Sequence, residues 1–248
     1  MIDRPLPAFA NAAILTAALL VLPRTELGAT HFSWLGHGAC PWDPAQCETR
    51  VPSGFRPLGE LQYGGFYHIV DEAAPELGAE QRSETLRTRA GQVIARVGPR
   101  FRQQLDSQGS ARLRDGRIVS AEEQIDGEWR YLVVHNAPFG IGAPGYKLLP
   151  YRTVSVDSKR VRVGAVLYVP LLAGVKLPTG EIHDGFCFAH DTDEGAEDQI
   201  SLFVGFDRDT DKTFRALTGR PTLRAYEVDA ETAAVLNRRF KEHFDVSD

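Results

Sequence analysis

Two aspartates in this chain close strand-like apolar runs, and both stand where proton-transfer chemistry is possible. Asp157 ends Arg152-Thr153-Val154-Ser155-Val156. A carboxylate there is costly to bury unless it is hydrogen-bonded or held at the strand end. It either orients a second carboxylate or a ligand hydroxyl, or it caps the turn at Ser158-Lys159. Asp191 follows Phe186-Cys187-Phe188-Ala189-His190, with the Thr192 hydroxyl beside it and Asp193, Glu194, Glu197 and Asp198 crowding the next loop. Gathered carboxylates raise one another's pKa, which can keep one of them protonated near neutral pH as a general acid. The same residues also read as a solvated acidic loop. Ser201 stands ten positions after Asp191, ahead of Leu202-Phe203-Val204-Gly205. Its hydroxyl has no accessible pKa near neutrality, and no local base is evident.

Other groupings point to less chemistry. Asp207-Arg208-Asp209-Thr210-Asp211 opens like a calcium loop, but Lys212 stands where Gly is needed and Thr218 where the closing Glu is needed. His183 and His190 each precede an aspartate. Neighbours in an alternating strand leave on opposite faces, so these read as separately satisfied surface histidines. Gly140-x-Gly142 is a turn signal rather than a phosphate loop, because no helix pattern follows it. No Cys/His spacing suits zinc, and no Gly-x-Ser-x-Gly is present. Neither a metal nor a cofactor is expected. The net charge is -5, and Glu181 to Asp211 holds ten acidic residues against the single Arg208. Such a rim repels phosphates, favours a neutral or cationic ligand, and argues against a nucleic-acid partner.

The elements that must hold these residues are mostly strands. Short apolar or alternating runs recur at Arg117 to Val119, Trp129 to Val134, Thr153 to Val156, Ala165 to Val169, Phe186 to Ala189, Ile200 to Val204 and Thr222 to Val228. Asp115-Gly116, Asp126-Gly127 and Pro144-Gly145 punctuate them. That spacing predicts a barrel rather than a βαβ sheet. Upstream, Leu58 to Val70 is strand-like, with Tyr63, Phe66 and Tyr67 around Gly64-Gly65; Val93 to Val97 reads as a strand. Glu80 to Arg89 reads as a short helix or loop, and Pro99 to Leu105 as a short helix or turn. Asp229 is an N-cap for a helix to Phe244, with Ala233, Leu236, Phe240 and Phe244 at helical spacing.

The N-terminus has a different character. Ala8 to Leu22 is an apolar run of 15 residues, shorter than the roughly 20 of a membrane span. It fits the apolar stretch of a secretory signal or an N-terminal helix that is buried or tucked against a membrane. Residues 24–57 are rich in Gly, Pro and turn formers, with Trp34 and Trp42 interspersed. Cys40 and Cys47 are either a small disulfide loop or two free thiols, and Cys187 reads as a buried small hydrophobe.

Taken in order, these strings resemble the three-aspartate domain, a double-psi β-barrel shared with the membrane-bound lytic transglycosylase A family. The matching residues are Gly109 to Arg117, Pro150-Tyr151-Arg152-Thr153-Val154-Ser155-Val156-Asp157, Val163-Gly164 with Leu167-Tyr168-Val169-Pro170, Leu177 to Gly185, Ala189-His190-Asp191-Thr192 and Leu202-Phe203-Val204-Gly205. The stretch covers just under half of the chain. The family's first two aspartates correspond to Asp157 and Asp191; the place of its third, the acid/base of the transglycosylase branch, is held by Ser201. The loop after Asp191-Thr192 also departs, reading Asp193-Glu194-Gly195-Ala196, and the interval to Ser201 is one position short.

The resemblance implies a mainly β fold: a six-stranded double-psi β-barrel at about 108–228, an N-terminal β extension and a C-terminal helix. With the readings of the N-terminus, the chain divides into a signal-like segment at 1–29, an irregular segment at 30–57, a β-rich extension at 58–107 and the barrel domain at 108–248. The resemblance further implies an exported protein of the periplasm or cell envelope that cleaves or binds peptidoglycan glycan strands. With Ser201 in place, three outcomes stand open: Asp191 or Asp198 takes over the acid role, the domain is an inactive glycan-binding or scaffolding module, or it does other chemistry. Thr192, Tyr146, Tyr151 and Trp129 are the expected substrate-lining residues, and residues 24–57 could meet an envelope protein partner.

Overall fold

The computed structural model describes residues 51–245, apart from 144, 194, 196, 207–212, 215, 216 and 218. The signal-like segment, Trp34, Trp42, Cys40, Cys47 and the calcium-like loop lie outside the described residues. So do Glu194, Ala196 and most of residues 24–57. In chain order the elements are β1 (Arg56–Tyr67), β2 (Val70–Asp71), α1 (Pro75–Gly78), β3 (Glu84–Arg87), β4 (Val93–Val97), α2 (Pro99–Gln108), β5 (Ser110–Arg112), β6 (Ile118–Ile125) and β7 (Glu128–Val134). Then follow β8 (Thr153–Val156), β9 (Val166–Tyr168), a 3₁₀ turn at Pro170–Leu172, β10 (Phe186–Thr192), β11 (Gln199–Phe203), β12 (Thr222–Glu227) and α3 (Ala230–Asp245).

Six strands close into a barrel in the order β1, β11, β8, β10, β9, β12. Two neighbouring pairs are parallel, β1 with β11 and β8 with β10. The pleat sorts the side chains. Val154, Val156, Cys187, Ala189, Ile200 and Leu202 fill the barrel interior. Thr153, Ser155, Ser201 and Phe203 take the opposite face. Cys187 is fully buried, and burial pushes its thiol up to about 12.

The barrel begins earlier than its motifs suggest. β1, expected as part of an extension, is a barrel strand, paired to both β11 and β12. β5, β6 and β7, expected inside the barrel, instead form a separate sheet with β2, beside the β3–β4 hairpin. The burial patterns carry the physical reason. All four residues of β8 are buried, as a strand covered on both faces requires. The second half of β6 alternates half-buried and exposed, as in a strand with one face on a core. β6 and β7 are joined at Asp126-Gly127, where both φ angles are positive, the conformation of a tight hairpin turn.

This inserted sheet has its own core, in which Phe101 and Leu105 of α2 meet Leu77, Leu86 and Tyr131. The segment read as a helix or loop at Glu80 to Arg89 contains β3. α3 starts where the sequence places it: Asp229 accepts from the Thr232 N–H at 2.9 Å and the Thr232 hydroxyl at 2.8 Å. Leu236 and Phe240 of α3 pack on the outer side of β9 and β10, against Phe186 and Phe188. No helix among the described residues is long and apolar enough to cross a membrane.

Candidate functional site

A β-bulge builds the site around Asp191. In the β8–β10 pairing Ala189 stands opposite Val154, but Asp191, not His190, stands opposite Ser155. His190 is therefore the extra residue, and the bulge turns Asp191 onto the outer face with Ser155. Ser201 on the other side of β8 also pairs with Ser155, and Gly65 pairs with Ser201. One row thus runs Gly65, Ser201, Ser155, Asp191 across four strands. With neighbouring strands about 4.8 Å apart, the Cα atoms of Ser201 and Asp191 are separated by roughly 10 Å.

Asp191 keeps part of its surface open to solvent, yet burial pushes its pKa up to about 6. The Asp193 charge adds to the rise. The Thr192 N–H, which donates to Asp191 Oδ1 at 2.9 Å, opposes it. The Tyr67 hydroxyl at the end of β1 approaches the carboxyl closely enough for each to shift the other, but it falls short of hydrogen-bond geometry. Burial, and then the Asp191 charge, holds that phenol well above its ordinary range.

The loop between β7 and β8 covers this end of β10. The Ala143 N–H donates to the His190 carbonyl at 2.9 Å. A Cβ at Gly142 would overlap that carbonyl and lie 2.9 Å from Asp191 Cβ, so only glycine lets the loop approach so closely. Phe139 of the same loop sits 6.3 Å from the Phe203 ring and 5.8 Å from that of Phe206; Tyr67 stands 5.1 Å from Phe203. Tyr67, Phe139 and Phe206 are each half-buried; the Phe206 ring lies under the Arg112 guanidinium at 4.1 Å, and of the three it is Tyr67 that stands beside the Asp191 carboxyl.

The two histidines differ from their reading as surface residues. His183 is fully buried: Nε2 meets the Tyr151 carbonyl at 2.7 Å, and Nδ1 accepts from the Gly185 N–H at 2.8 Å. His190 is 2% exposed. Its ring stacks on Tyr146 at 4.4 Å and meets the Phe240 edge at 4.5 Å. Neither ring nitrogen reaches hydrogen-bond geometry, although the Lys147 carbonyl is close, and burial pushes the imidazole down to about 4. Because of the bulge, His190 and Asp191 leave β10 on the same side, not on opposite sides.

The remaining expected site residues scatter. Asp157 shares the outer face of β8 with Ser155 but turns onto backbone: Oδ1 accepts from the Lys159 N–H at 2.9 Å and Oδ2 from the Asp198 N–H at 3.1 Å. Those bonds hold its pKa below the ordinary range. Asp198 is exposed, with φ 53°, and lies 3.4 Å from Arg160. Ser201 is 9% exposed and accepts from Gln199 Nε2 at 3.3 Å. Thr192 extends β10 beside Asp191. Tyr146 lies on the covering loop. Tyr151, with φ 65°, is buried in the barrel core, where its ring faces Phe214 at 5.8 Å. Trp129 packs on the core of the inserted sheet, opposite Gln124. Among the described residues no cluster of three His, Cys, Asp or Glu could hold a metal.

No family model matches the chain, and no curated protein matches it. Among solved structures it is similar to E. coli MltA with bound chitohexaose, at 16% identity and a TM-score of 0.44, over 68% of this chain and 71% of that one. It is also similar to a membrane-bound lytic murein transglycosylase from Agrobacterium tumefaciens, at 13% identity and a TM-score of 0.39, over 77% and 79%. A third is LtgG, a lytic transglycosylase of Burkholderia pseudomallei, at 15% identity and a TM-score of 0.32, over 68% and 70%.

Proposed function

We propose that this protein is an exported cell-envelope protein that acts on peptidoglycan glycan strands, with Asp191 as its one acid/base. The observation that carries this reading is the Asp191 carboxyl, on a residue only partly buried, pushed up to about 6 by burial and with the half-buried Tyr67 ring beside it. Aromatic faces suit the apolar faces of sugar rings. A carboxyl with a pKa near the working pH suits a general acid. In the reaction Asp191 gives its proton to the oxygen that links N-acetylmuramic acid to N-acetylglucosamine, and the C1–O bond breaks. The muramic 6-hydroxyl attacks C1, closes a 1,6-anhydro ring and returns its proton to Asp191. One carboxyl completes the cycle, unlike the pair that hydrolysis uses. Asp157 and Asp198 are engaged by backbone and Arg160, which leaves Asp191 the better placed of the three.

A second reading rests on Ser201. With no carboxyl in its row beyond Asp191, the domain could keep its glycan-binding face without turnover. Purified protein incubated with murein sacculi separates the two by mass spectrometry. The enzyme releases 1,6-anhydro products that vanish in Asp191→Asn. The binding module sediments with sacculi and releases none. A protein that does neither refutes both.

A further inference from the structure

A cleft of about 390 Å³ opens in the inserted region, lined by Arg82, Arg96, Arg114 and Arg117 with Glu72 and Asp115. Four guanidiniums against two carboxylates leave an excess of two positive charges, in a chain whose net charge is -5. The cluster is organised from beneath. Glu72 is 3% exposed. Its Oε2 accepts from the Arg114 N–H at 2.9 Å, and its Oε1 lies 3.0 Å from Arg82 and 3.7 Å from Arg114. Arg117 is braced by Asp115 at 2.7 Å and by the Ile94 carbonyl at 3.1 Å. Arg96 enters from β4, is exposed, and has no ion-pair or hydrogen-bond partner among the described residues.

Three of the forks are therefore held in place before any ligand arrives, and the fourth brings unspent charge. A braced site loses less ordering entropy on binding. Guanidinium forks match the paired oxygens of carboxylates and phosphates, whereas a neutral sugar offers them no counter-charge. We propose that this cleft is an oxyanion-binding site, for a carboxylate or phosphate group of a ligand or envelope component. The site stands independently of the Asp191 reading, since no residue is shared between them.

The test is calorimetric titration of the full chain, at low ionic strength, with three probes: inorganic phosphate, N-acetyl-alanyl-alanine and the C-terminal amide of that dipeptide. Saturable binding with a Kd below about 10 mM is expected. Arg96→Gln should weaken it about tenfold, the size of one charge-assisted contact, and leave the melting temperature unchanged; Arg96→Lys should recover part of the loss. Binding of phosphate alone assigns the site to phosphates. Binding of the dipeptide acid but not its amide assigns it to carboxylates, and binding of both supports the shared chemistry. Absence of saturable binding by either anion overturns the proposal. So does an affinity unchanged in a folded Arg96→Gln variant, or equal binding of the amide.

Discussion

The parallel strands β8 and β10 each carry an aspartate at their C-terminal end after an apolar run, Asp157 just past β8 and Asp191 next to last in β10, and the two ends behave in opposite ways. At Asp157 the chain turns back immediately, and two backbone N–H groups settle on the carboxylate. The charged form is favoured and the pKa falls. At Asp191 one N–H is available, the β7–β8 loop closes over the bulge, and the pKa rises to about 6. Proton affinity at a strand end is thus set by whichever backbone folds over it. The strand itself does not decide it.

The largest test of this contrast is turnover. Asp191→Asn should lower release of 1,6-anhydro products by about 10²–10⁴-fold, the usual contribution of a general acid. Asp157→Asn should leave release within a few-fold. An equal loss in both variants would break the comparison and make the two carboxyls one machine.

Stability against pH sharpens it further, because the bulge places two groups of opposite response side by side. His190 has a folded pKa near 4 against an ordinary 6.5. Its neutral form is favoured by the fold, so its contribution is complete above pH 6.5 and is lost as the pH falls toward 4. The shift corresponds to about 3 kcal/mol. Asp191 has a folded pKa near 6 against 3.8. Its protonated form is favoured by the fold, so stability is fully present below about pH 4 and is lost as the pH rises through 6. Chemical denaturation between pH 8 and pH 4 should therefore show the two responses largely cancelling. His190→Phe should unmask a gain of stability on acidification. At pH 8, Asp191→Asn should be more stable than the parent by about 1–3 kcal/mol. A loss of stability at pH 8 would mean that the carboxylate is not held at a cost.

How much of this was legible in the sequence depends on which contacts are local. The strand at Thr153 to Val156, the helix capped by Asp229 and the turn at Asp126-Gly127 all follow from neighbours in the chain. Asp157 was also legible, since its alternative role as a turn cap needs only the following two residues. The bulge at His190 was not, because strict alternation is the default and an extra residue shows only in the pairing with Val154 and Ser155. Nor were Tyr67 and Phe139 legible as site residues. They reach Asp191 and Phe203 across more than fifty residues of intervening chain, and no local pattern encodes that meeting. Trp129 and Tyr151 carry rings of the kind that stacks on a sugar, but the two cores use those rings for packing.

The smallest expected effect is at Asp157. Its pKa lies below the ordinary carboxylate value because the Lys159 N–H, then the Asp198 N–H, favour the charged form. The linkage therefore runs opposite to that of Asp191: the contribution is present at neutral pH and disappears as the pH falls through the acid range. Asp157→Asn should lower stability slightly at pH 7, and the difference from the parent should shrink on acidification. Because Asp157 bonds the Asp198 N–H, the loss should be accompanied by faster amide exchange at Asp198. Amide exchange by NMR separates this from a general loosening: protection should fall at Lys159 and Asp198 while the paired amides of β8 and β10 stay protected. If protection is lost at Thr192 as well, the two strand ends are coupled, and the environments that distinguish Asp157 from Asp191 are not independent.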